Sequence, residues 1–112
     1  MSTAIDVVRR FYAAYQEQDL RAASDLLSEA LTFTSPQDDH IDKAAYLERC
    51  FPTADRFTST DIREPIEAES GLVLWRYAYE LRDGGRFSNI EEIVVRDDRI
   101  VDIRVYFGGA ET

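Results

Sequence analysis

The chain is predicted to form an α+β domain in which three helices close over one face of a curved antiparallel sheet and leave a cone. Three observations carry this expectation. Apolar residues recur at spacings of three and four in the opening segment, as on the buried face of a helix. The stretch from Gly71 to Gly109 reads as three long alternating runs, Leu72–Leu81, Arg86–Arg96 and Arg99–Phe107. Asp83-Gly84-Gly85 and Asp97-Asp98 fall between those runs, where tight reversals need residues that tolerate positive φ. Helices at one end of the chain and strands at the other make the α+β pattern.

Each element has a local reason. Ser2 or Thr3 caps the first helix, and Asp6 stands where it closes a capping box with Thr3. Ile5, Val8, Phe11, Tyr12 and Tyr15 form its apolar face, and the helix runs to about Gln18. Asp19 is placed to cap a second helix, Leu20 to Glu29, which carries Leu26 and Leu27. Leu31 to Ser35 is β-branched and aromatic and stops at Pro36, which reads as a short strand. A polar loop follows, Pro36 to His40. Asp39 or Asp42 caps a third helix, Lys43 to Cys50, and Phe51-Pro52 ends it. Phe57 to Ala68 reads as a strand in which Pro65 marks an edge position or a bulge. The three runs after it are long enough, roughly 30 Å at about 3.3 Å per residue, that the sheet must twist and curve.

Composition narrows the function. The 112 residues suit one domain with one core, expected to span 1–112, and 45% hydrophobic with 12% aromatic residues is ordinary globular content. The net charge of -9 argues against nucleic acid, whose phosphates call for clustered Lys and Arg, and against an anionic membrane surface. Cys50 is alone, no Cys/His set has metal spacing, and no leader-like or membrane-spanning apolar run is present. A cytoplasmic protein without metal or cofactor is the expectation.

Strand alternation sorts the side chains onto two faces. Trp75, Tyr77, Phe87, Asn89, Glu91, Ile93, Ile103, Val105 and Phe107 are expected on the concave face, roofed by the aromatic side of the first helix. Leu74, Arg76, Ala78, Ile90, Glu92, Val94, Asp102, Arg104 and Tyr106 fall on the convex face. Glu91 stands out as a carboxylate among apolar neighbours. Poor solvation raises such a pKa and suits a proton donor, although pairing with Arg76 or Arg104 on a neighbouring strand is the plainer alternative.

The order of elements, with Val7-Val8-Arg9-Arg10-Phe11-Tyr12-Ala13-Ala14-Tyr15, Asp19-Leu20, Phe33-Thr34-Ser35-Pro36, Glu48-Arg49-Cys50 and Tyr106-Phe107-Gly108, resembles the nuclear transport factor 2-like superfamily. Within it the chain is similar to the SnoaL-like and ketosteroid isomerase-like branch. The resemblance implies the cone-shaped, cystatin-like fold and pairing of two copies through the convex face. It leaves the chemistry open, because this fold hosts isomerases, cyclases, dehydratases, epoxide hydrolases and binding modules. Ketosteroid isomerases carry an aspartate base where this chain has Ser35 and an oxyanion-hole tyrosine where it has Phe11. The second oxyanion donor, a protonated acid on the sheet, matches Glu91. These departures argue against authentic steroid isomerisation.

The expected pocket draws Phe11, Tyr15 and Tyr46 from the helices and Phe33 and Ser35 from the first strand. Trp75, Tyr77, Asn89, Ile103 and Val105 come from the sheet. Rings at such spacings also serve simply as core. Asp38 and His40 are the candidate bases opposite Glu91, against the alternative of a solvated loop whose aspartates cap the next helix. Cys50, with no histidine partner, reads as a small buried apolar residue. Two functions follow. One is a cofactor-independent isomerase- or cyclase-type enzyme working by proton transfer on a small hydrophobic ligand. The other is a non-catalytic binding or dimerisation module.

Overall fold

The structure, a computed structural model, describes residues 3–111. Helix α1 spans Ala4–Glu17 and is closed by a reciprocal box in which Thr3 and Asp6 each accept from the other's backbone N–H. Ser2, the alternative cap, lies outside the described residues. Helix α2 is Leu20–Leu26, capped by Asp19, and α3 is Lys43–Arg49, capped by Asp42. The strands are β1 Leu27–Ser35, β2 Asp38–Ile41, β3 Phe57–Ile62, β4 Ile66–Glu69, β5 Leu72–Leu81, β6 Arg86–Arg96 and β7 Arg99–Ala110. A 3-10 turn over Phe51–Arg56 joins α3 to β3, with Pro52 just after its start.

The strands form one sheet in the order β2-β1-β7-β6-β5-β3, and β4 pairs with β5 beside β3. The sheet is mixed rather than wholly antiparallel, because β1 runs parallel to β7 with Phe33 opposite Ile103 and Thr34 opposite Arg104. No local signal announces that pairing, which joins strands at opposite ends of the chain.

Three element boundaries differ from expectation, each for a tertiary reason. Helix α2 stops at Leu26 instead of Glu29. Leu27 pairs with Ile100 and is buried together with Leu31, so sheet pairing outweighs the helix preference of Ser28 to Ala30. The expected Pro36–His40 loop instead folds back as a hairpin, with Ser35 opposite Asp38 and Phe33 opposite Ile41 across Pro36-Gln37. The Phe57–Ala68 strand is broken at Arg63-Glu64-Pro65, since Pro65 has no N–H to give a ladder. Both halves still pair with β5.

The core lies between α1 and the sheet. Val7, Val8, Phe11 and Ala14 of α1 belong to one buried cluster with Val73, Trp75, Ile93, Val95, Ile100 and Ile103. Each such side chain contributes roughly 1.5–3 kcal/mol on burial. The faces fall as alternation predicts, except that Phe107 is 55% exposed. The far end of β7 runs on to Ala110, and there the ring of Phe107 lies 5.7 Å from that of Phe87.

Lys43 ties the α2–β1 corner from inside. Its ammonium donates to the carbonyls of Ser24 (2.9 Å) and Leu27 (3.1 Å) and to Glu29 Oε1 (2.8 Å). Replacing it with methionine keeps the stem but strands carbonyls at a helix end. Lys43→Met is expected to lower stability by about 1–2 kcal/mol, read from the urea midpoint at unchanged m-value.

Candidate functional site

A cavity of about 390 Å³ opens between α1, the α3–turn segment and the concave side of β3, β5, β6 and β7. Its position follows from periodicity. Helical spacing brings Phe11 and Tyr15 to one face of α1, and alternation along β5 sends Trp75, Tyr77 and Tyr79 to meet them. Phe33 and Tyr46 pack ring against ring at 4.8 Å, and Tyr12 sits edge-on to Trp75 at 5.0 Å. Ile93, Val105 and Glu91 complete the sheet wall.

Glu91 is the carboxylate of that wall. Tyr77 donates its hydroxyl hydrogen to Glu91 Oε2 at 2.6 Å, and Asn89 Nδ2 donates to Tyr77 Oη at 3.3 Å. Burial raises the Glu91 carboxyl above the ordinary carboxylate range, and the Tyr77 hydrogen bond, which favours the anion, offsets part of that rise. Burial also raises the Tyr77 phenol, and the nearby Glu91 charge raises it further. The arginine alternative does not hold, since Arg104 pairs with Asp102 at 3.3 Å and Glu91 lies with Tyr77 in the cavity wall.

The expected residues divide into two groups. Glu91, Phe11, Tyr15, Phe33, Tyr46, Trp75, Tyr77 and Val105 line the cavity together. Ser35, Asn89 and Ile103 do not: Ile103 is packed into the core, Asn89 stands behind Tyr77, and Ser35 donates its hydroxyl to Asp38 at 3.0 Å. Neither candidate base lines the cavity. His40 is exposed at φ 50°, its Nδ1 bonded to Asp39 at 2.6 Å. Asp38 is half-buried behind Cys50, whose thiol donates to it at 3.8 Å. Burial, with the Asp38 carboxylate beside it, pushes the Cys50 thiol up to about 11, so it is no ready nucleophile.

Tyr12, Thr53, Phe57 and Thr60 also line the cavity. Tyr12 was legible as a neighbour of Tyr15 on the helix face. Thr53 sits on a 3-10 turn that has no signature beyond Pro52. It accepts from or donates to the Tyr15 hydroxyl at 2.8 Å, and it donates to the Cys50 carbonyl at 2.7 Å.

A family model described as a SnoaL-like domain matches residues 8–103. The chain belongs to this SnoaL-like family. No curated protein gives a significant sequence match to the SnoaL-like chain. Solved bacterial structures share its fold. An NTF2-like protein of unknown function from Mesorhizobium loti is 23% identical with a TM-score of 0.76, over 95% of this chain and 91% of that one. An NTF2-like protein of unknown function from Cytophaga hutchinsonii is 20% identical with a TM-score of 0.76, over 96% and 91%. A candidate ketosteroid isomerase from Kribbella flavida is 15% identical with a TM-score of 0.77, over 97% and 80%. At these identities the SnoaL-like chain shares a fold with them, and its chemistry has to be read from its own residues.

Proposed function

We propose that the cavity binds a small, largely apolar molecule and that Glu91 exchanges a proton with it, as in a cofactor-independent isomerase- or cyclase-type enzyme. The observation that carries this reading is the Glu91–Tyr77–Asn89 chain of hydrogen bonds in an aromatic wall. A carboxyl whose proton affinity burial raises is placed to donate and then recover a proton. The volume lies at the small end of ligand pockets, which run about 300–1,000 Å³.

A second reading, non-catalytic binding, is favoured by one fact. Asp38 and His40 stand outside the cavity, so its lining among the described residues holds no histidine and no carboxylate besides Glu91. Mass spectrometry of compounds retained by the native protein identifies the ligand class. Incubating that compound with the protein in D₂O then separates the readings. Deuterium incorporation that vanishes in Glu91→Gln supports catalysis, and binding without exchange supports the module.

We also propose that two copies pair through the convex sheet face. Ile90 and Tyr106 face each other across β6 and β7 and are 44% and 51% exposed, flanked by Glu92 opposite Arg104. An apolar centre ringed by both charge signs suits a two-fold contact. Tyr106→Asp is expected to weaken the dimer at least about tenfold by placing a charge at that centre. Light scattering that finds the unaltered protein monomeric at micromolar concentration would defeat the proposal.

A further inference from the structure

The lining of the cavity divides by exposure. Its floor is buried and apolar, made by Phe11, Phe33, Tyr46, Trp75 and Ile93. Its rim is exposed and polar, with the hydroxyls of Thr58, Ser59 and Thr60 on β3 and the amide of Gln16 on α1. Thr53, Ala54 and Phe57 carry the lining across the 3-10 turn into β3. Arg56 stands inside that run, directly before Phe57, and is exposed.

Charge singles Arg56 out. Arg49 and Arg56 both counter the rise of the Cys50 thiol, and Arg56 also counters that of the Tyr15 phenol. Cys50 and Tyr15 both line the cavity. Arg49 already has an acid, with Asp38 at 3.6 Å. The Arg56 guanidinium has no hydrogen bond or ion pair among the described residues. Its backbone is held instead: the Arg56 carbonyl accepts from the Arg82 N–H at 3.2 Å, and Arg82 Nε donates to the Asp55 carbonyl. A second guanidinium is thereby tied to the same turn. In a chain of net charge -9, an unneutralised cation beside an aromatic cavity is a local reversal of sign that suits an anion.

We infer that the cavity takes amphipathic aromatic carboxylates, the ring body on the buried floor and the carboxylate at the rim on the Arg56 guanidinium. This rests on the reading of the cavity as a binding site. The orientation follows from desolvation. An ionised carboxylate loses far more on an apolar floor than at a wet rim, so the rings enter first. The guanidinium presents a planar fork of N–H donors that matches the two oxygens of a carboxylate. Glu91, the one carboxylate of the lining, is bonded to Tyr77 in the sheet wall, whereas Arg56 is on the turn after α3. A ligand anchored at the turn keeps its charge away from that acid. Arg56 thus sets which ligands are accepted and which end leads.

The test uses 2-naphthoate and 2-naphthalenemethanol, which share a ring body and differ in charge, titrated by fluorescence at neutral pH. The unaltered protein is expected to prefer the carboxylate by about fivefold. Arg56→Gln should abolish that preference while the alcohol binds as before. Arg96→Gln removes an equal charge at the end of β6, outside the lining, and should keep the preference. The melting temperature of Arg56→Gln should hold, since the side chain is exposed and bonds nothing in the fold. Equal affinity for the two compounds in the unaltered protein overturns the inference, and so does a preference that survives Arg56→Gln; either leaves the binding site standing. Parallel loss in Arg96→Gln overturns it too, because net charge rather than Arg56 would then be read. So does an equal loss of both ligands in Arg56→Gln, which would make the residue a part of the cavity's shape. If neither compound binds at millimolar concentration, the binding-site reading itself falls, and this inference with it.

Discussion

Glu91→Gln is expected to melt several degrees above the unaltered protein at pH 8 and to lose about 10²–10⁴-fold of any proton-transfer rate. The two effects have one cause. Burial raises the folded pKa of Glu91 above its value in the unfolded chain, about 4.3. Below that unfolded value both states hold the proton, and the site is neutral for stability. As pH rises past it, the unfolded chain releases its proton first and the folded chain retains more. Stability therefore falls until pH passes the folded pKa, and then levels off. Every tenfold gap in proton affinity between the states costs roughly 1.4 kcal/mol. Glutamine carries no such cost and still accepts from Tyr77 through its amide oxygen. The gap in melting temperature between variant and parent should be near zero at pH 4 and open as pH rises. A parent more stable than Glu91→Gln at pH 8 would mean an ionised, structurally paired carboxylate, and the proton-donor role would be lost.

The same burial explains what the sequence made legible and what it did not. Glu91 could be placed in the concave wall because β6 alternates without interruption, and a period of two fixes the face of every residue once one is known. The bounds of β5 and β6 match the alternating runs for the same reason. The opening helix was legible through its capping box. Asp38 was harder. Its position depends on the hairpin of β2 on β1, and Ser35 to His40 carries turn residues that suit a loop equally well. The parallel pairing of β1 with β7 was hidden altogether, because nothing local distinguishes a strand that pairs with its neighbour from one that pairs with the far end of the chain. Tyr46 could be named as a pocket residue from its type, and its ring stands in the cavity wall against Phe11 and Phe33. The family resemblance leads to the fold and goes no further into the chemistry.

Gly71→Ala is expected to cost about 3 kcal/mol, whereas Gly84→Ala should cost only about 1 kcal/mol. Both glycines sit in turns at positive φ, +81° and +93°, a conformation that any side chain pays for. The difference lies in the surroundings. A Cβ at Gly84 meets nothing within 4 Å, so only the backbone term remains. At Gly71 it would lie 2.6 Å from the carbonyl oxygen of Val95. That oxygen cannot swing aside like the tip of a side chain, because it belongs to β6 and the Val95 N–H is bonded to the Gly71 carbonyl at 2.8 Å. Relief requires β5 and β6 to part at this corner. The same two strands set Trp75 opposite Glu91, so a shift there reaches the cavity wall. Gly71→Ala should therefore lower the urea midpoint well beyond Gly84→Ala. Equal losses of stability in the two variants would show that the close approach at Val95 relaxes freely and that φ alone sets the cost.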